Sequence, residues 1–217
     1  MIKICVYLKQ IVYLQRENLT YYKMKKEIIE KNFENYRNGL VKILGNTVAE
    51  AIINDVGGEQ ALANASFTNL SDSGAAYDGS LIKNIIKINQ MAKKINGLLP
   101  DNMKVPEESL FKVCMLSQIS KAVMFERNDN NWEVEKRGIL YKFTDVKGAL
   151  RTGERSILIA MNAGVKFTVE EYEAMKICDR MIDDDNMVRF FSSPLSVVVK
   201  QAIELTILTN KESVINE

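Results

Sequence analysis

The chain has 217 residues, 47% hydrophobic and 26% charged, which fits one globular domain able to bury a full-sized core. Its net charge of +1 gives no electrostatic basis for nucleic acid or an anionic membrane as the main partner. It contains no histidine, which excludes imidazole-ligated zinc, iron or manganese and every histidine-based catalytic triad.

In chain order, the N-terminal "MIKICVYLKQIVYL" is broken by Lys3, Lys9 and Gln10 and contains no run of apolar residues long enough to span a membrane. It also lacks the apolar core and small-residue site of a signal peptide. Residues 1–23 read as an N-terminal extension and residues 24–217 as a single helical domain. From Lys25 to Ile53, apolar residues including Ile29, Phe33, Tyr36, Leu40, Val48 and Ile52 recur at helical spacing, with Gly39 and Gly45 as points of bending or division. The polar stretch "FTNLSDSGAAYDG" predicts a loop, and a long helix is expected from about Tyr77 to Leu98. "PEES" predicts another helix start, since proline suits the first turn and acids suit the positive end of the helix dipole.

After Phe125 the period shortens. A β-hairpin is expected, pairing about Val123–Arg127 with Trp132–Val134, with a further strand at Ile139–Phe143. "LRTGERSILIAMNAG" predicts a helix ending at Gly164, Thr168 and Glu171 form a capping box, and Ser193 with Pro194 opens the last helix. Only three prolines and the abundance of Ile, Leu, Lys and Glu make the expected fold class mainly α. Cys5, Cys114 and Cys178 match no zinc or redox spacing and read as buried thiols in a reducing cytoplasm.

Four stretches between Phe67 and Leu208 carry a resemblance. "AYDGSLIKNI" is similar to a Tyr-Glu-Gly-Gly-Leu-Leu-Glu-His segment, and "VCMLSQISKAVMF" to a Leu-Leu-His-Asp-x-x-Lys helix. "RTGERSILIAMNAGVKFTVEEYEAM" is similar to a Gly-His-Gly-Glu-Lys-Ser helix followed by Thr-x-Glu-Glu, and "PLSVVVKQAIEL" to a closing helix that bears His and then Asp. In this order they resemble the HD-domain metal-dependent phosphohydrolases. The resemblance implies an HD-like helical bundle with a small β-hairpin insertion. It also implies that every metal ligand has been replaced, by Asn84, Ser117, Gln118, Thr152, Cys178, Lys200 and Ile203.

Those replacements supply hydroxyls, amides, a thiol and an ammonium, a poor set for a divalent ion. A lysine ~4 Å from such an ion, at an effective dielectric near ~20, is opposed by about 4 kcal/mol per product of charges. No metal, cofactor or catalytic residue is therefore expected. Lys121, Arg151, Gly153 and Arg155 form a candidate anion-binding set for a phosphate or nucleotide. The plainer reading pairs Arg155 with Glu154 or Glu171 and leaves Lys121 solvated. Asp183–Asp185, the segment from Arg189 to Pro194, Trp132 and a nucleophilic Cys178 are weaker candidates for calcium binding, partner binding and covalent chemistry.

The resulting expectation is a non-catalytic HD-fold protein, a binding or structural module acting by self-association or with a protein partner. The family's usual distribution points to a phage or prophage setting, in the cytoplasm or a virion. The alternative is a nucleotide phosphohydrolase or sensor whose site is rebuilt from carboxylates such as Asp72, Asp78 and Glu154.

Overall fold

A computed structural model describes residues 24–145, 148–179 and 193–215. Within them the chain is mainly helical with one two-stranded antiparallel sheet. The N-terminal extension, Cys5, the Asp183–Asp185 run and the aromatic pair Phe190–Phe191 lie outside the described residues.

Helix α1 spans Lys26–Leu44, and its Ile29, Phe33, Tyr36 and Leu40 fall on one face and are buried. Gly39 permits close approach to a later helix, since a Cβ there would sit 3.0 Å from the Met115 methyl and 3.1 Å from the Phe111 ring. Gly45, with φ of 80°, ends α1 and starts α2, Asn46–Asp55. A short α3, Glu59–Asn64, leads into the serine-rich loop.

Helix α4 is Ser80–Leu98, so the expected start at Tyr77 is corrected by three residues. The reason is Gly79, whose left-handed φ of 79° cannot belong to the helix and instead forms the turn that opens it. Ser80 locks that turn: its Oγ donates to Ala75 O at 2.6 Å and accepts from Phe67 N–H at 2.8 Å. Helix α5, Glu107–Leu116, has Pro106 just before its first residue and Glu107 and Glu108 in its first turn. Tyr36 Oη donates to Met115 O at 3.0 Å and ties α1 to the end of α5.

A single turn, α6 (Lys121–Met124), feeds directly into strand β1, Phe125–Arg127. Its partner is β2, Tyr141–Phe143, in the register Phe125 with Phe143 and Arg127 with Tyr141. The hairpin exists, but Trp132–Val134 is not a strand. Trp132 has helical dihedrals and Glu133–Arg137 is a π-helical turn, closed by Gly138 at φ 68°. Asparagine causes this: Asn130 Oδ1 accepts from the N–H groups of Trp132 (3.1 Å) and Glu133 (3.3 Å) and caps the turn.

Helix α7 is Thr152–Asn162 and stops at Gly164, where φ is 96°. Helix α8, Val169–Ile177, opens with the expected capping box: Glu171 N–H donates to Thr168 Oγ1 at 3.2 Å, and Thr168 N–H to Glu171 Oε2 at 3.0 Å. Helix α9, Pro194–Ile215, starts with Ser193 as cap, whose Oγ accepts from Ser196 N–H at 3.4 Å. It packs along α4 and α8, and residues from α1 to α9 contribute to one continuous core. Among the described residues no helix is long and apolar enough to cross a membrane.

Candidate functional site

Three helix ends and the side of a fourth helix meet at Cys178. Ser117 and Gln118 close α5, Thr152 and Gly153 open α7, Cys178 follows α8, and Lys200 comes from α9; all are buried. Gln118 Nε2 donates to Cys178 Sγ at 3.6 Å, and the thiol donates to Ser117 O at 3.8 Å. A Cβ on Gly153 would lie 3.2 Å from that sulfur and 2.1 Å from Met175 O, so the first turn of α7 rests directly on the backbone of α8. Glycine is required here for close approach rather than for an unusual dihedral.

Two serines stitch the meeting point together. Ser156 Oγ donates to Ser117 O at 3.2 Å and accepts from Ser120 N–H at 3.1 Å, while Ser120 Oγ donates to Thr152 O at 2.9 Å. Ser120 and Ser156 were not singled out from the sequence. The available signal was a fully polar residue on an otherwise apolar helical face in "LSQIS" and "ERSILIA". Among the described residues, the buried atoms Ser117 Oγ and Asp179 Oδ1 have no hydrogen-bond partner.

Charge gathers around the thiol. Burial pushes the Cys178 thiol well above its ordinary range, Asp179 pushes the same way, and Lys121 and Lys200 pull against them. The group is a protonated thiol at neutral pH, not a nucleophile. Lys121 is half-buried; desolvation draws its ammonium down to about 8, against the opposing pull of Cys178 and Asp179. Its Nζ sits 3.5 Å from the centre of the Phe67 ring, so it is not simply solvated. Lys200 pairs with Glu204 at 3.1 Å.

The remaining sequence-derived positions have other partners. Asn84 lies on α4, where its Nδ2 donates to Ser80 O at 2.8 Å and its Oδ1 accepts from Asn210 Nδ2 at 2.6 Å. Ile203 is part of the apolar core. Arg151 is exposed at the start of α7, where its N–H donates to Glu154 Oε2 at 3.2 Å. Arg155 Nη2 donates to Gly148 O at 3.3 Å. Gly153 presents its Cα face to the backbone of α8. Glu171 is held by Lys112, at 2.7 Å, a pairing the sequence did not suggest.

The donors brought together do not fit a divalent ion. They are a hydroxyl, an amide, a protonated thiol and an ammonium, with the Asp179 carboxylate beside them, and among the described residues no group of carboxylates encloses them. Among the described residues no group of three or more His, Cys, Asp or Glu could hold a metal. The carboxylates of a rebuilt site are engaged separately: Asp78 by Arg127 and Tyr141, Glu154 at the start of α7, and Asp72 exposed in a short turn. No family model, no curated protein and no solved structure matches this chain.

Proposed function

We propose that the chain is a non-catalytic, HD-like helical protein that acts as a binding or assembly module. The observation that supports this most is the contact of Gln118 Nε2 with Cys178 Sγ at 3.6 Å. These residues stand where the resemblance expects metal ligands, and here they satisfy each other. Gly153 resting on Met175 O at the same meeting point adds support for close packing there in place of an ion and its water. The polar groups left at the meeting point serve packing, and function falls to the outer surfaces, through self-association or a protein partner.

Purified protein is expected to carry no stoichiometric divalent metal by plasma mass spectrometry. It is also expected to leave nucleoside phosphates intact when manganese, magnesium or cobalt is supplied. Metal that survives desalting, or turnover that a chelator abolishes, would overturn the proposal.

A second reading, a nucleotide sensor, draws on the Lys121 and Lys200 ammoniums that both act on Cys178. It requires a thermal shift with a nucleotide that disappears in Lys121→Met. The absence of a shift with any nucleotide removes that reading and leaves the first.

A further inference from the structure

Two stretches remote in sequence, Phe67–Asp78 and Lys121–Phe143, meet along one seam. At one point of it the Lys121 ammonium rests on the Phe67 ring. At another, Ser71 Oγ donates to Gly138 O at 2.5 Å. Between the two chain segments the strongest tie is Asp78, whose carboxylate accepts from Arg127 Nε at 3.2 Å, from Arg127 Nη2 and from Tyr141 Oη.

Arg127 and Tyr141 are partners in register across β1 and β2, so one carboxylate holds both strands at once. That matters because the sheet has only three residues per strand, and an isolated hairpin of that size is marginal in water. The order of the hairpin therefore depends on what pins it to the helical body. Tyr141 is buried while Arg127 is largely exposed, so the tie has an inner and an outer half.

We infer that Asp78 is a latch and that residues 125–143 are a movable arm: with the latch shut the arm is docked on the Phe67–Asp78 loop, and with it broken the arm leaves as a unit. Its departure frees the Phe67–Asp78 loop from both strands. The hydrogen bonds around Cys178 do not pass through Asp78, Arg127 or Tyr141, and that cluster remains closed.

The test is hydrogen exchange of the full-length protein, read by segment, with brief trypsin digestion alongside. In Asp78→Asn the amides of residues 125–143 are expected to exchange roughly tenfold faster or more, because a buried phenol and a guanidinium lose a charged acceptor. Trypsin is expected to cut first within the arm, while α4, α7 and α9 keep their native rates. Arg127→Gln breaks only the outer half and is expected to give a smaller, few-fold rise confined to the same residues. Unchanged exchange in the arm of both variants would overturn the inference. So would an equal acceleration in every helix, since Asp78 would then be part of the foundation of the fold. If Asp78→Asn does not fold, Arg127→Gln decides between these outcomes.

Discussion

The Cys178 cluster and the Asp78 seam are both polar, and they are built on opposite principles. At Cys178 short side chains and backbone oxygens meet at close range with almost no exposure, as in Ser117 at 0% and Gln118 at 1%. At Asp78 long side chains reach across a gap, and Arg127 keeps 66% of its side chain in solvent. A buried polar contact is expensive to leave unmade, while an exposed ion pair contributes little beyond its geometry. The first region is thus fixed by packing and the second by a removable tie.

The sharpest way to break this contrast is Gly153→Ala. Its new Cβ would fall 2.1 Å from Met175 O, a backbone atom that cannot turn aside. A loss of about 3 kcal/mol is expected in urea unfolding, with α7 and α8 forced apart. A cost near zero would mean that the cluster yields as easily as the seam.

The Lys112–Glu171 pair tests whether buried charge follows the same rule. Glu171 has 2% of its side chain exposed and also closes the cap of α8. Lys112→Met leaves that carboxylate without its cation and should cost about 2 kcal/mol. Replacing both, as Lys112→Met with Glu171→Gln, should cost less than the two single changes added together, and chemical denaturation of the four proteins measures the coupling. Strict additivity would place this pair with the exposed ties.

Much of this architecture is legible in the sequence because it rests on local signals. The 3.6-residue spacing in α1, the Thr168–Glu171 box and Ser193–Pro194 each need only their neighbours, and each stands where the pattern placed it. The segment at Trp132 misleads because Asn128 and Asn130 are equally good at turning a hairpin and at capping a helical turn. Ser117, Gln118 and Cys178 touch one another although 60 residues separate Gln118 from Cys178, and no local pattern announces that contact. The Lys112–Glu171 and Asp78–Tyr141 ties span 59 and 63 residues and leave no local trace. Closure at Gly153 is likewise a property of two helices, invisible in either alone.

The smallest expected effect concerns Lys121, which joins the two regions: its ring contact belongs to the seam, and its electrostatic neighbours Cys178 and Asp179 belong to the cluster. Its ammonium titrates near 8 in the folded chain and near the ordinary value of 10.5 when unfolded. Between those values the unfolded chain binds the extra proton, so stability rises with pH; below about 8 both forms are protonated and the penalty of burial is fully present. Other groups titrate over the same range, so the informative quantity is the difference between the wild type and Lys121→Met. The variant should lack part of the rise from pH 8 to 10.5, by about 1 kcal/mol once solvent screening of a half-buried group is allowed for. Parallel curves for the two proteins would mean that Lys121 is solvated after all, and that the seam and the cluster are not joined through it.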